Sequence, residues 1–216
     1  MAQLPDLIRT ERLALADFLE TLAPEEWAVP SLCSEWRVRD VAAHLAFSPV
    51  VPQSQMLKGL VRYGFRLNKA SAEMAKQWAE RGPAETVSQL RANASAGRKE
   101  AGVPEIAALV DAVVHSIDIR QPLGKHRAIP AEAFVLVADS AVNVRWPFSL
   151  AVGGSARKRL RGVELVAEDY DWSYGGGPRV SATGVNVLRV LNGRPVERTA
   201  LVGPGADQLY AAQSKR

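Results

Sequence analysis

Three residues of this chain have the types and spacing to do metal chemistry: His44, Asp111 and His115. Asp111 and His115 lie four apart in the stretch PEIAALVDAVVHSIDIR, residues 104–120. Pro104 followed by Glu105 favours a helix start. Ile106, Leu109, Val110, Val113, Val114 and Ile117 then recur at helical spacing. On that helix, residues i and i+4 share a face, with Cβ atoms about 5–6 Å apart. A carboxylate and an imidazole so placed can reach one divalent ion together. They can also simply hydrogen-bond to each other along the helix face. Asp118, three residues further on, borders the same face.

The third residue belongs to SLCSEWRVRDVAAHLAFSPVV, residues 31–51. Ser34 is the expected N-cap of a helix running from Glu35. Trp36, Val38, Val41, Ala42 and Leu45 make its inward face, and His44 borders that face. A histidine there can be a packed, hydrogen-bonded core residue as well as a ligand. Asp40 precedes His44 by four and repeats the Asp-x-x-x-His spacing. Only one of the carboxylates need touch an ion. Another can orient its neighbouring imidazole, which makes Asp40 and Asp118 candidates for a supporting role.

Two imidazoles and one carboxylate leave coordination positions open, the pattern of catalytic zinc. The same set suits ferrous iron, and nickel or manganese also fit it. An ion with open positions can bind a thiol, lower its pKa and hold it as thiolate near neutral pH. A thiolate can attack an electrophilic carbon. The outcome is S-transfer or, by reversal after bond rotation, cis–trans isomerisation. The single cysteine, Cys33, reads as a small buried hydrophobe, so the thiol is expected from outside the chain.

The elements that must position these residues are mostly helical. Residues 5–22 carry a broad apolar face from Leu7 to Leu22, and Trp27 reads as a core anchor. Pro49 and Pro52 interrupt the His44 helix. Residues 53–81 read as an irregular helical stretch broken near 64–68. Residues 84–102 read as a helix closed by Gly102. Residues 121–130 are a connector with an exposed His126, and 131–144 are a further helix. Residues 1–145 therefore predict a helical bundle of four or five core helices. Residues 146–216 predict a small α+β domain, with strands at 148–154, 162–169 and 171–180 and a helix within 181–194.

Composition narrows the function classes. The chain has 216 residues, 47% hydrophobic and 23% charged, as soluble globular proteins do. One cysteine excludes an intrachain disulfide and fits a reducing cytoplasm. No secretory signal pattern and no apolar run of membrane length is present, so no membrane partner is expected. The net charge of +4 comes from the C-terminal part, where Arg157, Lys158, Arg159 and Arg161 cluster. Such a cluster can bind anions or nucleic acid. This one is short and has no interleaved aromatics, so it reads as a solvated turn and no nucleic acid is expected. A monomer or a homodimer is expected.

SLCSEWRVRDVAAHL, DAVVHSIDIRQPLG and GVELVAEDYDWSYGGGPRV, with LNGR and LVGPGADQL after it, resemble the mycothiol-dependent maleylpyruvate isomerase family of the DinB-like metalloprotein superfamily. The likeness covers nearly the whole chain and is weakest over residues 48–100. It implies a mainly α fold, a DinB-like four-helix bundle followed by a small C-terminal α+β domain. It also implies a divalent metal, zinc before nickel, iron or manganese, held by His44, Asp111 and His115. Mycothiol, the actinobacterial thiol, is the implied co-substrate. The family usually has Glu where this chain has Asp111, which leaves open direct ligation or ligation through water. The expected function is a metal- and mycothiol-dependent S-transferase or cis–trans isomerase acting on a small electrophile. Arg120 and the basic C-terminal segment are candidates to bind carboxylates of thiol or substrate. The competing expectation is a non-catalytic bundle that binds a small ligand or a partner protein.

Overall fold

Apolar residues at helical spacing build the first part of the chain. The computed structural model describes residues 3–145 and 154–214 and divides into two compact units, residues 1–127 and 128–216. In the first unit, α1 (Leu4–Glu20) buries Leu7, Ile8, Leu15, Phe18 and Leu19. A 3-10 turn, Pro24–Ala28, sets Trp27 into the core. Then come α2 (Val38–Phe47), α3 (Gln53–Arg62), α4 (Leu67–Ala79), α5 (Pro83–Ser95) and α6 (Glu105–Arg120). Both α1 and α2 pack on α5 and on α6, which makes the four-helix bundle; α4 covers α2, and α3 lies on α4. Leu15, Leu19, Trp27, Val41, Leu45, Leu90 and Ile119 share one core cluster. Each fully buried side chain of this kind contributes roughly 1.5–3 kcal/mol. No helix among the described residues is long and apolar enough to cross a membrane.

Two helix ends differ from the sequence expectation. Ser34 caps nothing, and α2 begins at Val38. The Ser31 hydroxyl donates to the Trp36 carbonyl at 2.9 Å and accepts from the Cys33 amide at 3.1 Å. Pro30 pairs with Arg37, and Glu35 takes a left-handed φ of 66°. Residues 31–36 are therefore a folded loop. The cap is Asp40, whose carboxylate accepts from the Arg37 amide at 2.9 Å. At the other end, α5 stops well before Gly102. Gly97 has φ +59°, the Arg98 amide donates to the Asn93 carbonyl and the Gly97 amide to Ala94. That is a Schellman stop at the first glycine available.

The second unit holds α7 (Ala131–Asn143), α8 (Ala156–Arg159), α9 (Gly184–Leu191) and α10 (Ala206–Ser214). Its sheet has β1 (Glu164–Ala167), β2 (Ser173–Gly175) and β3 (Arg179–Ala182) in the order β2-β1-β3. β1 runs antiparallel to β2 and parallel to β3. The strand expected over 148–154 falls almost wholly on residues 146–153, outside the described residues.

The composition-based boundary at residue 145 also differs from the observed division, because α7 packs on α9. Phe134 of α7 stacks on Tyr170 with ring centroids 4.0 Å apart, and Trp172 Nε1 donates to Asp139 at 2.9 Å. The basic cluster is solvated at Arg157, Lys158 and Arg161, which are exposed, but not at Arg159. Arg159 is buried and donates to the carbonyls of Val190 and Leu191, while Arg157 donates to the Val142 carbonyl at 2.6 Å.

Arg120, read from the sequence as a possible ligand-binding group, ties α6 to α1. Its guanidinium lies 3.7 Å over the Phe18 ring. Nε donates to Ser116 at 3.1 Å, and Nη2 donates to the Ala14 carbonyl at 3.3 Å. Burial and the nearby Arg127 lower its pKa to about 10. Arg120→Ala is expected to cost about 1–2 kcal/mol in urea denaturation, through the lost cation–π contact and hydrogen bonds. In the second unit, a Cβ on Gly184 would lie 2.3 Å from the Tyr170 ring and 2.9 Å from Phe134. Gly184→Ala is expected to destabilise by about 1–3 kcal/mol by overpacking, read as a lower denaturation midpoint.

Candidate metal centre

The packing of α2 against α6 brings His44 to Asp111 and His115. His44 Nε2 lies 3.5 Å from Asp111 Oδ2, and His115 Nε2 lies 3.5 Å from Asp111 Oδ1. Each carboxylate oxygen thus faces one imidazole. The rings meet edge to face with centroids 5.1 Å apart. One ligand atom from each residue lies within 4.8 Å of the other two. Two donors about 2.1 Å from a tetrahedral ion are about 3.4 Å apart, and each imidazole–carboxylate spacing of 3.5 Å, one to each oxygen of Asp111, is of that size.

The far nitrogens of both rings are already engaged. His44 Nδ1 lies 3.1 Å from the Ser48 hydroxyl and 3.3 Å from the Ser71 hydroxyl. His115 Nδ1 lies 2.8 Å from Asp118 Oδ2, and Asp118 is fully buried. A carboxylate on Nδ1 keeps the proton there and leaves the Nε2 lone pair free for a metal.

Cys33 departs from its reading as a simple buried hydrophobe. Its thiol donates to Asp118 Oδ2 at 3.1 Å, and the Leu32 amide donates to the Asp118 carbonyl at 3.1 Å. The 31–36 loop is thereby fastened to α6. Cys33, His115 and Asp118 also form a second trio of possible donors. The 2.8 Å contact between His115 and Asp118 is a hydrogen bond, so this side supports the ring and the Nε2 side is the open one.

Asp40 does not support His44. A carboxylate in the first turn of a helix has unpaired backbone N–H groups beside it, and Asp40 takes that of Arg37. Its side chain also lies 3.7 Å from Arg39 Nε. The same Asp-x-x-x-His spacing thus gives a pair of candidate ligands on α6 and a helix cap on α2. Arg120 does not join the cluster, being held by Phe18, Ser116 and Ala14.

Aromatic rings wall the cluster. Trp36 lies 5.3 Å from the His44 ring and 6.2 Å from His115, centroid to centroid, and Phe47 lies 5.8 Å from His44. Burial works to raise the Asp111 pKa. The hydrogen bond from His44 and the charges of His115, His44 and Arg12 outweigh it and hold the group at about 2. Asp111 is therefore ionised at neutral pH.

Four contributors escaped the sequence reading: Ser48, Ser71, Arg12 and Glu100. Burial lowers the pKa of Arg12, with Glu100 and Asp111 acting against it. Burial and Asp111 raise that of Glu100, with His44 and Arg12 acting against them. A signal for Arg12 exists, because it continues the apolar stripe Ile8, Leu15, Leu19 at helical spacing. Ser71 offers none, since α4 comes from the stretch with the least regular pattern.

Residues 8–102 match the family model described as the mycothiol maleylpyruvate isomerase N-terminal domain. The matched span includes His44 and ends before α6. Among solved structures, the chain is similar to the crystal structure of the mycothiol-dependent maleylpyruvate isomerase, with a TM-score of 0.55 and 16% identity over 95% of this chain and 97% of that one. A histidine-to-alanine variant of that enzyme matches equally, with a TM-score of 0.55 and 16% identity. No curated protein sequence matches the chain. Residues 8–102 are thus similar to the mycothiol maleylpyruvate isomerase N-terminal domain, and the chain shares the mainly helical fold of that isomerase.

Proposed function

We propose that this chain binds one divalent ion through His44, Asp111 and His115 and uses it in thiol-dependent chemistry, as an isomerase or S-transferase for a small electrophile with mycothiol as co-substrate. The observation that carries the reading is the convergence of three donor atoms whose two imidazoles are already engaged on their far nitrogens. Zinc is the ion proposed first, ahead of nickel, iron and manganese. When bound, such an ion supplies a Lewis acid with open positions that lowers the pKa of a thiol toward neutrality. Mycothiol enters through the names of the matching family and fold.

The chain's own residues then have defined tasks. Asp111 contributes the single negative charge, and its two oxygens facing different Nε2 atoms support direct ligation despite the short arm. Asp118 holds the His115 proton on Nδ1. Ser48 and Ser71 fix the His44 ring. Trp36 and Phe47 keep bulk water from the imidazoles. The Cys33 thiol is committed to Asp118, which supports an external nucleophile.

Elemental mass spectrometry of the purified protein is expected to find about one divalent ion per chain, lost in His44→Ala and in His115→Ala. An ion-free protein, even after supplementation with zinc, nickel and ferrous iron, would sink the metal reading. Turnover of maleylpyruvate should require mycothiol, disappear on stripping the ion and return with zinc; turnover indifferent to thiol would end the thiol-dependent reading. Removal of the buried support should weaken the site without abolishing it. Asp118→Asn is expected to lower zinc affinity about 10–100-fold in a chelator competition, with the helical signal unchanged.

A further inference from the structure

Four of the seven large apolar side chains that lie exposed among the described residues fall within one short stretch, residues 57–67. They are Leu57, Val61, Phe65 and Leu67. Leu57 and Val61 are four apart and share one face of α3. That face is not the one that packs. Gly59 points inward, where an added Cβ would meet Met74 Sδ at 3.2 Å and Ala70 at 3.8 Å on α4. α3 has no buried residue, so it lies on the outside of the bundle with an apolar flank turned to solvent. Phe65 extends that flank under strain. The Gly64 amide donates to the Val61 carbonyl at 3.1 Å and the Phe65 amide to the Leu60 carbonyl at 2.7 Å, which is a Schellman stop. An apolar residue in the place of Phe65 commonly folds back onto the last turn. Phe65 is instead 72% exposed, the most of these seven side chains. Its φ of +60° is left-handed, an outlier for a bulky residue. Strain of this kind gathers at functional surfaces.

Charge names the occupant. Lys58, Arg62, Arg66 and Lys69 accompany these apolar residues, and no Asp or Glu occurs from Val41 to Ala72. All four cations are exposed. None of them forms an ion pair among the described residues, whereas Arg91, Lys125, Arg127 and Arg198 each meet a carboxylate. Arg62 and Lys69 gather around the Tyr63 ring, 5.8 and 5.9 Å from its centroid. A second copy of the chain would set the same cations against these, so self-association is opposed. An anionic lipid surface matches both features. It takes the apolar flank of a helix at the boundary between headgroups and acyl chains, while its headgroups meet Lys and Arg.

We propose that α3 and the turn after it, residues 53–69, are a docking surface for an anionic phospholipid membrane. Leu57, Val61 and Phe65 enter the headgroup–acyl boundary, and Lys58, Arg62, Arg66 and Lys69 meet the anionic headgroups. No described helix is long and apolar enough to cross a membrane, but a helix lying in the interface needs no such length. Three apolar side chains and four cations give a reversible, peripheral attachment. The surface uses none of the residues of the metal centre and stands whether or not that centre binds an ion.

The test is co-sedimentation of the full chain with lipid vesicles. Vesicles of phosphatidylcholine with about 30% phosphatidylserine should bind the protein at least about tenfold more tightly than phosphatidylcholine alone, and the difference should shrink as salt rises. An apolar variant carrying Leu57→Ser, Val61→Ser and Phe65→Ser should bind about tenfold or more weakly. A charge variant carrying Lys58→Gln, Arg62→Gln and Arg66→Gln should do the same. Both alter exposed positions and should keep the helical signal of the wild type. Phe65→Asn guards against loss by misfolding: Asn accepts a φ near +60°, so the thermal midpoint should hold or rise while vesicle binding falls. Absence of binding to the phosphatidylserine vesicles overturns the proposal, and a dimer in sedimentation velocity that the apolar variant loses would then assign the face to a second copy. Binding that only one of the two triple variants weakens, or that neither does, also overturns it, because the proposal requires both insertion and charge.

Discussion

The hydrogen bond between His115 Nδ1 and Asp118, 2.8 Å long and sealed from solvent, is the constraint on which the centre depends. An ionised carboxylate in a bundle interior is costly unless its oxygens are satisfied. Here the imidazole and the Cys33 thiol both meet Oδ2, and the backbone of the 31–36 loop meets the Asp118 carbonyl. One buried group thereby fixes a ring rotamer, a tautomer and the loop that leads into α2. Because α2 carries His44, the placement of the second imidazole follows from the same anchor. The loop's own hydrogen bonds, through Ser31, set where α2 begins.

The charge balance around Asp111 is the second layer. Its low pKa arises although burial opposes it, because two imidazoles and Arg12 surround the carboxylate. Glu100 is pushed the opposite way by burial and by Asp111. Two carboxyl groups in one neighbourhood are thus driven apart in their proton affinity, one held ionised and one held toward the neutral form. A divalent ion at the cluster would meet one firm negative charge and two imidazoles, which leaves net positive charge for an anionic ligand. Arg12 adds to that bias from α1.

Much of this was legible in the sequence, and the reasons are local. Apolar periodicity places α1, α6 and α7 to within a residue or two, because their stripes are long and their ends are marked by proline. The three candidate ligands and Asp118 could be named from residue type and spacing on two helices. What failed was whatever depends on partners distant in sequence. Asp40 has the spacing of a supporting carboxylate, but a free N–H of its own helix start claims it. Arg120 has the chemistry of an anion site, but Phe18 and Ala14 claim it. Cys33 looks inert until the fold sets it beside Asp118, 85 positions away. Gly97 and Gly102 are equally good helix stops by type, and the chain uses the first it meets.

The short arm of Asp111 shows how the bundle itself completes the site. An aspartate reaches one methylene less far than the glutamate usual in the family this chain resembles, so the helices must supply the difference. The facing elements are rich in alanine: Ala42, Ala43 and Ala46 on α2, and Ala108 and Ala112 on α6, are all essentially without exposed surface. Small residues let helix backbones approach toward the lower end of the 8–10 Å interaxial range. The 3.5 Å spacing between His44 on α2 and Asp111 on α6 is met across these two helices. The spacing of the candidate ligands and the core packing are therefore one problem in this chain. A larger side chain at those alanines would move His44 away from Asp111 before it disturbed the rest of the bundle, since the aspartate has no further reach with which to follow.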